Sequence, residues 1–253
     1  MKQKLFITLI LCLWLPVVYA TGSQNLLPWP QLVDWTKQTF SGKDISLSLA
    51  GNTEQMVTDW LQESNIKVNP ASKKIFRVML VESLPEAKIN ENEAYKLEVS
   101  PQGITIEATT EQSVYRAIQT LRQLTEKKGD RAYITGCKIT DWPAFRIRGF
   151  MQDVGRTYTS MEELKREIAK LAQYKINVFH WHLTENQSWR LESKIFPMLN
   201  DSINTTRMPG KYYTQEEARE LVEFCKQHQV LLIPEFDMPG HSAAFISTFR
   251  HDM

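Results

Sequence analysis

The sequence predicts an α/β chain in two regions: a small α+β domain over residues 25–140, then a parallel sheet built from βα units over 143–253. Three observations carry this. Up to residue 139, short alternating apolar runs are interleaved with helical stripes. From Pro143 onward, runs that are apolar on both faces alternate with amphipathic helices, the pattern of a parallel sheet. Charged residues gather after the carboxyl ends of those later runs.

In the first region, residues 45–50, 75–81, 95–99 and 104–108 read as strands, with Pro101-Gln102-Gly103 turning the chain between the last two. Met56, Val57, Trp60 and Leu61 share one helical face, and Val114, Ala117, Ile118, Leu121 and Leu124 form a second stripe. Thr109 followed by Gln112 predicts a capping box at the start of that second helix.

In the second region, residues 145–153 predict a buried strand. Ser160-Met161-Glu162-Glu163 then opens a helix with Leu164, Ile168, Leu171 and Ala172 on its apolar side. The unit repeats: a strand at 176–183, a long loop, and a helix capped by Thr214 and Glu217 with Ala218, Leu221, Val222 and Cys225 inward. A third strand follows at 230–236. Asp153-Val154-Gly155-Arg156 is not the glycine-rich first turn of a dinucleotide fold. With polar residues after all three strands, the better reading is the first three βα units of a (β/α)8 TIM barrel, whose functional face lies at the strands' carboxyl ends.

Residues 1–20 read as a signal peptide: Lys2 and Lys4, an apolar run too short to span a bilayer, and Val18-Tyr19-Ala20 before a cleavage point. The expected location is therefore exported, periplasmic or secreted. The whole chain holds 30 Lys+Arg and 29 Asp+Glu, so losing the two leader lysines leaves one acid in excess. Such a balance gives no reason to expect nucleic acid or an anionic membrane as partner. Cys137 and Cys225 are too few for a disulfide scaffold or a cysteine metal site; they read as packed thiols, with a bridge between them left open.

Arg148 is a permanent cation in an apolar run and must meet an acid or a polar ligand; an internal ion pair and ligand binding both remain open. Asp153 and Arg156 have the spacing of a local ion pair. His180 and His182 share one strand face. With Asp237 and His241 they could form a metal site, or they could be hydrogen-bonded histidines of a barrel wall. Glu235-Phe236-Asp237-Met238-Pro239-Gly240-His241 is the densest polar cluster.

Three segments carry a resemblance: Phe145-Arg146-Ile147-Arg148-Gly149-Phe150-Met151-Gln152-Asp153, Asn177-Val178-Phe179-His180-Trp181-His182-Leu183-Thr184-Glu185-Asn186-Gln187, and Pro234 through His241. In this order and spacing the chain resembles glycoside hydrolase family 20, the β-N-acetylhexosaminidases. The stretch 95–124 resembles the end of the small domain that precedes the barrel in that family. The resemblance implies exo-hydrolysis of terminal β-linked N-acetylglucosamine or N-acetylgalactosamine with retention, the substrate's 2-acetamido oxygen acting as nucleophile. It implies glycans ending in N-acetylhexosamine as partners and no cofactor or metal. Arg148 matches a substrate-binding arginine, His241 a histidine supporting the catalytic acid, and Asp237 a carboxylate of that network. Glu185 and Asn186 stand where many members carry aspartates, and the longer Glu185 side chain is expected to serve the same supporting network as His241 and Asp237.

The family's catalytic Asp-Glu pair follows the fourth barrel strand. Residues 143–253 supply three, against the ~250 residues of a full barrel, so the expectation is an amino-terminal portion, inactive alone. With ~10 apolar strand side chains left partly exposed at ~1.5–3 kcal/mol each, the barrel portion is not expected to be stable by itself. Two alternatives stand beside this reading: a metal-dependent TIM-barrel hydrolase using His180, His182 and His241, and a non-catalytic glycan-binding remnant.

Overall fold

The structure is a computed structural model and describes residues 25–250; the leader read at residues 1–20 lies outside them. The elements run β1 (Leu32–Gly42), β2 (Asp44–Ser48), α1 (Glu54–Glu63), β3 (Lys67–Val68), β4 (Ile75–Leu80), β5 (Tyr95–Ser100), β6 (Gly103–Ala108), α2 (Glu111–Leu124), β7 (Thr125–Lys128) and β8 (Arg131–Asp141). They continue β9 (Gly149–Asp153), α3 (Met161–Gln173), β10 (Val178–His182), β11 (Thr184–Glu185), β12 (Ser188–Trp189), α4 (Gln215–Gln227), β13 (Leu231–Glu235) and α5 (Ala243–Arg250).

The first eight strands form one mixed sheet in the order β1-β8-β5-β6-β4-β2-β3, with β7 also on β8. Strict alternation explains its two faces. Tyr95, Leu97 and Val99 of β5, and Ile104 and Ile106 of β6, are buried, whereas Glu98 is exposed and Lys96, Thr105 and Glu107 are half-buried. The apolar face meets Val57, Trp60 and Leu61 of α1 and Val114, Ala117, Ile118, Leu121 and Leu124 of α2. The other face is wet, as one-sided sheets allow.

Two long strands, β1 and β8, were not among those expected from the sequence. They pair antiparallel, but their register shifts between Trp35 and Thr39, so the alternation that would announce β1 is broken midway. Gly136 faces this irregularity. A Cβ there would lie 2.3 Å from Thr36 Oγ1 and 2.8 Å from the Gln38 carbonyl oxygen, so only glycine fits. The cap of α2 also falls one residue later than predicted. Thr110 is the N-cap, its Oγ1 accepting from the Ser113 amide at 3.1 Å while Ser113 Oγ accepts from the Thr110 amide at 2.8 Å. Thr109 instead donates its hydroxyl to the Glu91 carbonyl at 2.5 Å.

β9, β10 and β13 make a separate three-stranded sheet, parallel throughout, in the order β13-β10-β9. Each connecting helix starts with a capping box, Ser160 with Glu163 and Thr214 with Glu217, where the sequence places them. Leu164, Ile168 and Ala172 of α3 and Leu221 and Cys225 of α4 pack on one face of the sheet against Phe179 and Trp181. Val222, expected inward, is exposed, because the inward stripe of α4 runs through Ala218, Leu221 and Cys225 and leaves its neighbour outside. Cys137 and Cys225 are both free thiols buried in different cores, each pushed up to about 12 by burial.

The first of these strands is shorter than predicted. It begins at Gly149, and Phe145 (75 % exposed) and Ile147 (72 %) lie outside it. On the sheet face away from the helices Met151, Leu231 and Ile233 are exposed. Asp153, His180, His182 and Glu235 occupy other positions on that face, in register across the three strands.

α2 stands between the two sheets. While its Val114, Ala117 and Ile118 fill the first core, Tyr115 on its other side joins the second, with Leu164 and Phe179. Beside it runs a seam of buried charge. Glu93 accepts from Arg116 Nε at 2.7 Å and from both terminal nitrogens of Arg148. Asp141 accepts from Lys175 Nζ at 2.7 Å and from the Tyr95 hydroxyl at 3.0 Å.

Candidate active site

Side chains alternate along a strand, so the face that carries Met151, His180 and Ile233 carries Asp153, His182 and Glu235 one step higher, at the carboxyl end. The chain beyond each strand adds to this layer. After β9 come Val154, Gly155 and Arg156; after β10 the short β11-β12 hairpin presents Glu185; after β13 a loop leads to His241.

Arg156 is the hub. Its Nη1 meets Asp153 Oδ2, and its backbone amide donates to Asp153 Oδ1 at 3.0 Å. Its Nη2 lies 3.1 Å from Glu185 Oε2. Glu185 is only 2 % exposed and also holds His241, whose Nδ1 is 2.8 Å from Oε1 and 2.6 Å from Oε2. Gly155 makes this convergence possible: a Cβ there would sit 2.8 Å from the Glu185 Cβ and 3.1 Å from the Thr184 carbonyl carbon. His241 itself adopts a left-handed backbone, φ 52°, a conformation histidine tolerates better than most residues.

The charges follow from the contacts. Burial pushes the Glu185 carboxyl up, but the bond from His241, the Asn186 amide and the Arg156 cation together hold it below the usual carboxylate range. A carboxylate cannot donate, so His241 gives its Nδ1 proton to Glu185, and that contact raises the imidazole above its ordinary 6.5. The two shifts set a window. The His241 contribution is fully present below pH 6.5 and lost as pH rises through the raised value; the Glu185 contribution is present above 4.5 and lost as pH falls through the depressed one. In an NMR titration the His241 ring should therefore titrate above 6.5, and Glu185→Gln should return it toward that value; an unchanged midpoint in the variant would show that the contact does not govern the charge.

The other acids are engaged as well. His182 Nδ1 lies 2.9 Å from Glu235 Oε2, and His180 Nε2 reaches the same oxygen. His180 and His182 thus share a face, as their spacing predicts, and both turn to one carboxylate. Glu235 is held below the usual range: burial pushes it up, and the two histidines outweigh that. Asp153 is depressed likewise, burial being outweighed by the Arg156 amide and guanidinium. Among the described residues no three His, Cys, Asp or Glu side chains are arranged to hold a metal ion. Asp237 is linked to this layer through its backbone amide, which donates to Thr184 Oγ1 at 2.8 Å.

Arg148 does not join the cluster. It directly precedes β9, at the opposite end of the strand, five residues and roughly 16 Å from Asp153 at ~3.3 Å per residue. There Glu93 and the carbonyls of Phe145 and Lys175 occupy it, the internal ion pair that its residue type left open. The physical correction is one of position: a cation that seemed to sit within a strand from 145 lies before a strand that starts at 149. The cation at the carboxyl end is Arg156, and its place three residues beyond Asp153, past the strand, is the sequence signal that could have found it.

Arg190 went unremarked in the sequence and organises the loops. It is fully buried, and its guanidinium donates only to backbone carbonyls: Val154 at 3.1 Å from Nε, Met208 at 3.2 Å and Lys211 at 2.7 Å from Nη1, Gly155 at 3.2 Å and Arg207 at 2.8 Å from Nη2. Two of these carbonyls immediately precede Arg156.

Comparison with known proteins bears on this geometry. The family description "Glycosyl hydrolase family 20, domain 2" matches residues 23–142, and "Glycosyl hydrolase family 20, catalytic domain" matches 145–251. The chain is 36 % identical over 170 residues to a β-hexosaminidase of Porphyromonas gingivalis, covering 62 % of this chain and 22 % of that protein. It is 38 % identical over 167 residues to one of Vibrio furnissii, covering 60 % and 27 %. The chain therefore spans about a quarter of the length of these curated relatives. A solved exo-β-N-acetylglucosaminidase of Vibrio harveyi, in complex with N-acetylglucosamine, superposes with a TM-score of 0.78 at 33 % identity, covering 91 % of this chain and 39 % of that one.

Proposed function

The chain belongs to glycosyl hydrolase family 20, and from that premise we propose that its protein is an exported exo-acting β-N-acetylhexosaminidase, which removes terminal β-linked N-acetylglucosamine or N-acetylgalactosamine with retention. In this reading the substrate's own 2-acetamido oxygen is the nucleophile, and glycans ending in such sugars are the partners. The observation that carries it is the Arg156 cluster, a charged, hydrogen-bonding layer at the carboxyl end of parallel strands matched by the family's catalytic domain.

Roles follow from chemistry. Asp153 and Glu185 aim the Arg156 guanidinium, whose charge-assisted bonds would grip sugar hydroxyls about twice as strongly as neutral donors. Arg148, held by Glu93 at the far end of the strand, is assigned to the scaffold. Glu185, His241 and Asp237 would support the catalytic acid rather than be it. A general acid needs a raised pKa, and Asp153, Glu185 and Glu235 are all depressed by the cations and histidines they hold. The 253-residue polypeptide by itself is therefore proposed to be inactive.

Two assays test this together. The polypeptide should release no nitrophenol from 4-nitrophenyl N-acetyl-β-glucosaminide above the buffer rate. Residues 145–250 grafted in place of the matching segment of the Vibrio furnissii relative should support turnover, and Arg156→Met in that graft should lower kcat/KM by about 100-fold, the loss of a charged bond of ~1.5–3 kcal/mol. A graft that is active and indifferent to Arg156 would overturn the assignment; turnover by the polypeptide alone would overturn the inactivity.

A further inference from the structure

The two residues before Arg156 are tied through their backbone. The amides of Val154 and Gly155 donate to the His182 carbonyl at 3.1 and 3.2 Å. Arg190 donates to their carbonyls, Nε to Val154 at 3.1 Å and Nη2 to Gly155 at 3.2 Å. The Gly155 carbonyl takes one bond more: the hydroxyl of Ser188, a residue 1 % exposed, donates to it at 2.6 Å.

That bond has a particular place in the hairpin. Ser188 on β12 stands directly opposite Glu185 on β11, across the two-residue turn Asn186-Gln187. Glu185 Oε2 lies 3.1 Å from Arg156 Nη2, and Ser188 holds the carbonyl one residue before Arg156. One cross-strand pair thus grips the same residue at both ends, its guanidinium and the backbone that aims it. The approach is close, because a Cβ on Gly155 would lie 2.8 Å from the Glu185 Cβ. Arg156 itself is half-exposed, so its cation is open to a ligand while its aim is set from the buried hairpin.

We propose that Ser188 is a positioning residue for sugar binding: by holding the Gly155 carbonyl, its hydroxyl sets the separation of hairpin and turn at which Glu185 orients the Arg156 guanidinium. This rests on the reading of Arg156 as the sugar-binding cation. A purely structural role is the competing account. In Ser188→Ala the Gly155 carbonyl keeps Arg190 Nη2, so no buried acceptor is left without a donor, and what is lost is the tie nearest to Arg156.

In the graft of residues 145–250 into the Vibrio furnissii relative, Ser188→Ala should raise KM about five-fold and leave kcat within about two-fold, the pattern of weakened ground-state binding. In the Arg156→Met graft the same change should alter kcat/KM by less than about two-fold, since a residue that acts through Arg156 has nothing left to act on. An equal loss in both backgrounds would overturn the positioning role. So would a KM that Ser188→Ala leaves unchanged while Arg156→Met is damaging. A second measurement needs no substrate: in the full 253-residue chain the Arg156 Nε–H resonance, assigned from Arg156→Lys, should shift and exchange faster with water in Ser188→Ala. If Arg156→Met leaves the graft unharmed, the sugar-binding reading falls. The resonance then still decides the geometry, and an unchanged position and exchange rate would overturn that as well.

Discussion

Arg190→Met is expected to destabilise the barrel portion by about 3–5 kcal/mol, the cost of leaving two or three of its carbonyl acceptors short of a donor at ~1–3 kcal/mol each. Five carbonyls converge on one guanidinium with no carboxylate among them. Methionine fills much the same volume but donates nothing, so the carbonyl of buried Val154 keeps no partner and that of buried Gly155 keeps only the Ser188 hydroxyl, at ~1–3 kcal/mol each, while those of the exposed residues Arg207, Met208 and Lys211 lose their donor at a smaller cost because they can turn to water. Loops relax, which is why the expected total is below the sum. Hydrogen exchange should quicken first at residues 205–213 and 154–156, and the denaturation midpoint should fall. Arg190→Lys should recover less than half, because an ammonium has three donors and no planar fork. A midpoint unchanged in Arg190→Met would show that these carbonyls are as well solvated without it.

Glu93→Gln should cost a similar ~3–5 kcal/mol, and for a different reason. The carboxylate is 3 % exposed and serves Arg116 and Arg148 at once, so the amide leaves two guanidinium groups underneutralised. Burial pushes Glu93 up, and the bonds and charges of Arg148 and Arg116 more than reverse this, leaving it below its ordinary 4.5. A depressed carboxylate contributes stability that is complete above the unfolded value and lost as pH falls through the native one. The variant should therefore be less stable at pH 7 and show a flatter acid limb below about 4.5. Urea titrations at several pH values read both; a parallel acid limb in variant and parent would show that Glu93 is not the titrating group.

Legibility differed with the range of the interactions. The parallel strands, their helices and the boxes at Ser160 and Thr214 depend on neighbours within a few residues, and periodicity reveals them. The strand pair β1 and β8 hid because an irregularity between Trp35 and Thr39 breaks the alternation, and only the partner strand shows that Gly136 is required. In the site, the acids and histidines at strand ends were legible as a group, since strand direction decides which end they occupy. Arg148 was read inside a strand whose expected start lay four residues too early, and with β9 beginning at Gly149 it falls at the end remote from Arg156. Arg190 gave no local sign, because all five acceptors are backbone atoms of distant loops.

The two-sided helix α2 has a consequence for biogenesis. Tyr115 closes the second core while its neighbours on the same helix close the first, so the later unit packs on a wall that belongs to the earlier one. A polypeptide emerges amino end first, and domains generally fold as they appear. Vectorial assembly is the expected order: the leading unit serves as a template, and a chain carrying residues 143–253 without α2 should lack the wall on which its strands pack.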